Sequence, residues 1–198
     1  DSQLRPEGVN DPLVTAAMAW VPPERVVPAE VRPLAYLDRA VSLGEGRALS
    51  GPSVLGGLLT ELVAQPCERA LVVGAGSGYS ARVLETMGLE VTALECSSKL
   101  SALARDNGVT VVSGLLEQGH KAGGPYDIIL IDGAVQHLPD ALIDQRAEGA
   151  RPGGALIDRG VSRLIVGRKI GGGFGRQSIA DAGVSTLPGF AQPPAFTF

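Results

Sequence analysis

The chain carries 198 residues and 20.3 kDa, with 17 basic and 21 acidic residues giving a formal charge of −4, a length that fits one domain with a sizeable core. Apolar residues are 44% and charged residues 19%, too hydrophobic a balance for intrinsic disorder. No Lys/Arg block tracks a nucleic-acid backbone and no apolar run approaches the roughly 20 residues that span a bilayer, so neither nucleic acid nor membrane is expected as a partner.

Residues 1–52 are rich in proline, which restricts each preceding residue away from helical geometry, so only short helices fit there. One is expected from Asp11 to Trp20, with Asp11 as cap and Pro12 at the first helical position. Trp20 either anchors that helix or shields the site. A second helix is expected from Pro52 to Ala64, where Val54, Leu55, Leu58, Leu59 and Leu62 recur at helical spacing.

From Glu68 the pattern becomes short β-rich runs alternating with helical stretches, the signature of parallel βαβ units. Strands are expected at Ala70–Val73, Glu90–Leu94, Thr110–Val112, Tyr126–Ile131 and Ala155–Asp158. Helices are expected near Tyr79–Met87, Ser98–Asp106 and Pro139–Ala147. Ser162–Ile170 and Phe174–Ile179, bracketing Gly171-Gly172-Gly173, read as an antiparallel hairpin. The fold class is α/β, a Rossmann-like, mostly parallel sheet ending in a C-terminal antiparallel hairpin. We read residues 1–198 as a single domain, with 1–52 as an N-terminal cap and substrate-side loop and 53–198 as the cofactor-binding core.

The chemistry-bearing segment is Leu71-Val72-Val73-Gly74-Ala75-Gly76-Ser77-Gly78-Tyr79, a strand running through glycines into a helix. Such a turn presents backbone N–H groups to a ligand at the strand's carboxyl end. Its G-x-G-x-G spacing departs from the dinucleotide fingerprint, and no Gly-Lys-Ser/Thr follows as a nucleotide-triphosphate loop requires. Glu95, about 20 residues on at the end of the next strand, is placed to accept both hydroxyls of a ribose. A ribose without a diphosphate points to S-adenosyl-L-methionine.

On these residues the chain resembles class I S-adenosylmethionine-dependent methyltransferases, and among them the protein-L-isoaspartate O-methyltransferase family. Val73–Tyr79 resemble that family's Val-Gly-x-Gly-Ser-Gly-Tyr strand and turn. Gly44–Pro52 resemble its glycine loop ending in Ile-Ser-x-Pro, Pro125–Ile129 its Tyr-Asp strand, and Arg151–Leu156 its Pro-Gly-Gly turn. Gln3-Leu4-Arg5 and Val26-Val27-Pro28 resemble its N-terminal region. The resemblance implies methyl transfer to the carboxylate of L-isoaspartyl residues in damaged proteins or peptides. The implied cofactor-binding residues are Gly74, Ala75, Gly76, Ser77, Gly78, Tyr79, Glu95, Gly114 and Leu115. Ser50 is the implied catalytic residue, orienting the acceptor or cofactor; read without the family, it caps the following helix.

Departures are specific. Ala48 and Ser53 replace the family's Thr and a polar or aromatic residue, Gly114-Leu115 stand where an acid usually follows the glycine, with Glu117 nearby, and Asp132 adds a carboxylate after the fourth core strand. They keep open a methyltransferase with another acceptor, or a non-catalytic cofactor-binding scaffold. Arg47 reads either as a solvated loop charge or as an attractor of a substrate carboxylate. His120 and His137 read as loop histidines, and Cys67 and Cys96 as reduced thiols with no metal role. The expected location is cytoplasmic; oligomeric state is not specified by the sequence.

Overall fold

The structure is a computed structural model that describes residues 9–170 and 173–191. Gln3–Arg5, Gly171 and Gly172 fall outside the described residues.

In the N-terminal part, α1 (Pro12–Trp20) starts as its sequence dictates, with the Asp11 carboxylate accepting from the N–H groups of Leu13 and Val14 at 2.8 and 3.2 Å. Two short 3₁₀ segments, Pro23–Arg25 and Ala29–Leu34, follow. The glycine loop then proves to be an antiparallel hairpin of β1 (Val41–Gly44) and β2 (Arg47–Leu49). Helix α2 (Pro52–Leu62) follows and packs against α1, and Gly56 lets Val9 and Met18 of the N-terminal segment approach closely: a Cβ there would meet Val9 Cγ1 at 2.9 Å.

The core is a seven-stranded sheet built from β3 (Arg69–Val73), β4 (Glu90–Glu95), β5 (Val111–Ser113), β6 (Tyr126–Val135), β7 (Arg146–Asp158), β8 (Val161–Ile170) and β9 (Gly173–Asp181). Its order is β5-β4-β3-β6-β7-β8-β9. Strands β3 to β7 pair in parallel, and β8 and β9 add antiparallel, as the expected C-terminal hairpin. Helices α3 (Tyr79–Thr86) and α4 (Ser98–Asp106) connect the first three core strands. Strand β3 is buried on both faces. Ala70 and Val72 join the cluster containing Leu59, Leu62 and Val83, whereas Leu71 and Val73 join that of Leu94, Ile129 and Phe190. The chain runs outward from β3 through β4 and β5, then returns to β6 on the other side. That reversal opens a crevice at the carboxyl ends of β3 and β6, where open α/β sheets bind ligands.

Two expectations are corrected. The helix expected over Pro139–Ala147 is only α5 (Asp140–Ile143), because β7 begins at Arg146. Accordingly, Ala155–Asp158 is only the end of a 13-residue strand, and Pro152-Gly153-Gly154 lies inside it rather than in a turn before it. Tertiary pairing overrides the poor strand propensity of these residues: Pro152 and Gly153 pair with Ile129 and Leu130 of β6. The glycines admit close neighbours, since a Cβ on Gly154 would lie 2.5 Å from Ile131 Cβ and one on Gly153 2.9 Å from Leu62 Cδ2.

Candidate active site

Strand β3 ends in a turn whose glycines occupy left-handed backbone, with φ of +80° at Gly74, +56° at Gly76 and +86° at Gly78. The N–H groups of Gly74 and Ala75 both donate to the Leu94 carbonyl at 2.9 and 3.0 Å, which locks the turn to β4. Glu95, the next residue of β4, is fully buried. Its Oε2 accepts from Gly76 N at 2.8 Å, and its Oε1 accepts from Cys96 N and Ser97 N at 2.9 and 3.0 Å. The expected pairing of glycine turn and strand-end carboxylate is therefore physically joined.

Arg47 reaches the same place from β2. Its Nη2 donates to the Gly74 carbonyl at 2.7 Å, and its Nη1 lies 3.4 and 3.3 Å from the two Glu95 oxygens. At 5% exposure it is not a solvated loop charge. Alternation along β2 was the available signal, because it puts Arg47 on the same face as buried Leu49. Leu43 of β1 and Leu187 of the C-terminal segment complete the wall, close over Gly76 and Gly74 respectively.

The other expected residues divide. Gly114 joins the site through its N–H, which donates to the Glu95 carbonyl at 3.2 Å, whereas Leu115 is 58% exposed at the start of the 3₁₀ turn Leu116–Gln118. Glu117 packs its carboxylate on Gly189. The Tyr79 ring is buried in the large core cluster, and desolvation pushes its phenol far above the ordinary range, so Tyr79 offers the crevice its backbone. Ser77 is buried with its hydroxyl unpartnered, and its carbonyl accepts from the Asn107 amide at 2.8 Å.

Ser50 lines a small cleft with Asp132, Gly133 and Leu55, beside the crevice. The capping reading of Ser50 fails: Gly51 is the N-cap of α2, and the Asp38 carboxylate serves that first turn, accepting from Ser53 N at 3.0 Å and Ser53 Oγ at 2.7 Å. Asp132 accepts a 2.6 Å hydrogen bond from Ser80 Oγ. Burial pushes its carboxyl above the usual range, with Glu95 adding to the rise and Ser80 and Arg47 opposing it.

His137 meets the Phe190 carbonyl at 3.1 Å through Nδ1, and His120 sits on the 3₁₀ segment's edge before Lys121. Cys67 and Cys96 are free and exposed, and no group of three potential metal ligands occurs among the described residues. Trp20 is 80% exposed and so not anchored in the core; it borders a polar cleft with Arg25, Arg82, Asp106 and Asn107. No described helix is long and apolar enough to cross a membrane.

A glycine turn clasped to a buried strand-end carboxylate, on a sheet of this order, defines an S-adenosylmethionine-dependent methyltransferase of the Rossmann-like class. The family model described as protein-L-isoaspartate(D-aspartate) O-methyltransferase matches residues 2–157, and the chain belongs to that family. It is 38% identical over 174 residues to protein-L-isoaspartate O-methyltransferase 1 of Rhodopseudomonas palustris, covering 82% of this chain and 70% of the relative. To protein-L-isoaspartate O-methyltransferase of Koribacter versatilis it is 33% identical over 188 residues, covering 91% and 85%. In fold it is similar to a Plasmodium falciparum chain crystallised with S-adenosyl-L-homocysteine, at a TM-score of 0.80 and 22% identity, covering 94% of this chain and 95% of that one.

Proposed function

We propose that this chain transfers the methyl group of S-adenosyl-L-methionine to the carboxylate of L-isoaspartyl residues in damaged proteins or peptides. The observation that carries the cofactor is the 2.8 Å bond from Gly76 N to the Glu95 carboxylate, and family membership carries the acceptor. The residues fit the cofactor on their own chemistry. The Glu95 carboxylate is fixed at the strand end by backbone N–H groups, and the Ser77 hydroxyl is buried without a partner on the same turn, whose Gly74 and Gly76 are approached so closely by Arg47, Leu187 and Leu43 that neither has room for a Cβ.

When bound, the cofactor supplies an activated methyl on a sulfonium. The acceptor carboxylate is ionised at neutral pH and needs no base: an O–CH₃ bond forms as the S–CH₃ bond breaks, and S-adenosyl-L-homocysteine leaves. Alignment and exclusion of water carry the acceleration, and holding oxygen near 3 Å from the methyl in line with sulfur is worth several kcal/mol. In this reading the backbone of Gly74–Tyr79 cradles the cofactor and Glu95 accepts the ribose hydroxyls. Gly114 and Leu115 flank the base, and Ser50 orients the acceptor. Residues 1–52 cap a single domain whose core is 53–198, and a cytoplasmic location agrees with the two free cysteines. The partner is a protein or peptide rather than nucleic acid, consistent with a net charge of −4.

Incubation with an isoaspartyl peptide and methyl-labelled cofactor, after calorimetry with S-adenosyl-L-homocysteine, tests the reading. Label in the peptide as a base-labile ester supports it; binding without transfer refutes the acceptor. A second reading, an acceptor other than isoaspartate, is favoured by Asp132, whose carboxyl shares the cleft with Ser50 where an anionic acceptor would sit.

A further inference from the structure

Arg47 holds its guanidinium in an arrangement that leaves it only partly satisfied. Nη2 has a good acceptor in the Gly74 carbonyl at 2.7 Å, but the contacts of Nη1 to the Glu95 carboxylate are 3.3 and 3.4 Å, and Nε is buried with no partner. Charge-assisted N–H···O bonds ordinarily close to about 2.7–2.9 Å. Glu95 meanwhile depends little on the guanidinium, since three backbone N–H groups already hold its oxygens at 2.8, 2.9 and 3.0 Å. The dependence runs one way: the cation is parked on groups that do not require it.

Those groups have another use. On the reading that Glu95 takes a ribose, on which this inference rests, an arriving nucleoside competes for the very oxygens that Nη1 faces. A buried guanidinium losing its acceptors must find another anion, and the planar fork of Arg matches a carboxylate bidentately. The hairpin carrying Arg47 is anchored by Val41, Leu43 and Leu49 in the core, and its polar ties beside Arg47 are the exposed pair Lys99–Glu45 and Ala48 N on Ser185 Oγ at 3.3 Å, so the guanidinium can turn on a backbone that stays in place.

We propose that Arg47 is the carboxylate receptor of this site, parked on Glu95 and Gly74 and transferred to a ligand carboxylate when a nucleoside enters. Two carboxylates have the right chemistry, the amino-acid end of the cofactor and the side chain of the acceptor. Other charges facing Arg47 are anionic, Glu95 and Asp132, so neither competes with it for that role.

The test compares S-adenosyl-L-homocysteine with 5′-methylthioadenosine, which keeps adenine, ribose and sulfur but lacks the amino-acid end. Both are titrated calorimetrically into the full chain and into Arg47→Ala, and the KM for an isoaspartyl peptide is measured beside them. If Arg47 takes the cofactor carboxylate, the variant binds S-adenosyl-L-homocysteine at least ten-fold more weakly while methylthioadenosine binding is unchanged or tighter. If it takes the acceptor carboxylate, binding of both nucleosides is unchanged or tighter and peptide KM rises at least ten-fold. Equal weakening of the two nucleosides, or no change in any of the three quantities, overturns the proposal. Arg47→Gln is carried in parallel and answers the same question if the alanine variant does not fold. Failure of the unaltered chain to bind either nucleoside would instead bring down the cofactor reading itself.

Discussion

Ser80 donates its hydroxyl to Asp132 across 2.6 Å, tying the first turn of α3 to the carboxyl end of β6. The bond holds a carboxyl whose protonated form burial favours. The folded protein therefore binds a proton more tightly at Asp132 than the unfolded chain does, and stability falls as pH rises from the ordinary carboxylate range, near 4, through the raised folded value. Asp132→Asn keeps an acceptor for Ser80 and removes the penalty. Thermal melts should show the variant equal to the parent near pH 3.5 and more stable at pH 7, by about 2–4 °C for each kcal/mol relieved. A gap that is widest at low pH would contradict the assignment.

Removal of the Glu95 side chain should weaken S-adenosyl-L-homocysteine by about 1.5–3 kcal/mol, the usual range for hydrogen bonds to a charged group. Glu95→Gln, which keeps the carbonyl oxygen but adds a donor, should lose less. Isothermal titration measures both, and an unchanged dissociation constant in Glu95→Ala would exclude the ribose role.

Ser50→Ala should leave unfolding free energy within about 0.5 kcal/mol, because Asp38 rather than Ser50 serves the first turn of α2. The methyl-transfer rate should nevertheless fall at least ten-fold. A variant with reduced stability and a normal rate would mean that Ser50 is structural.

Gly78→Ala places a Cβ at 2.7 Å from Val109 Cγ2 in a backbone of φ +86°. Urea denaturation should register a loss of about 1–3 kcal/mol. Gly57 in α2 has open space where its Cβ would go, and Gly57→Ala should stabilise by about 0.5–1 kcal/mol. Similar outcomes for the two substitutions would contradict the packing described here.

The glycine turn and Glu95 were readable because their constraint is local: positive φ demands glycine, and a strand-end carboxylate announces itself by position. Strand β7 was not readable beyond its last residues. Pro152, Gly153 and Gly154 signal turns in isolation, and only pairing with β6 and β8 makes them a strand. Arg47 was legible as a charge near the site but not as a buried one, since its acceptors lie 27 and 48 positions away in sequence. Ser50 shows the opposite error: the local cap signal was plain, yet Asp38, 15 positions before Ser53, had already taken that work.

Leu187 lies over Gly74, and its N–H bonds to the Ala134 carbonyl at 2.8 Å. During synthesis the glycine turn leaves the ribosome more than a hundred residues before Leu187 does. A nascent chain that has exposed β3 to β6 thus holds the turn and Glu95 with one side still open. The cover over Gly74 is completed only when the segment around residue 187 has come back to Ala134, and a chain interrupted before it would carry the turn without that cover.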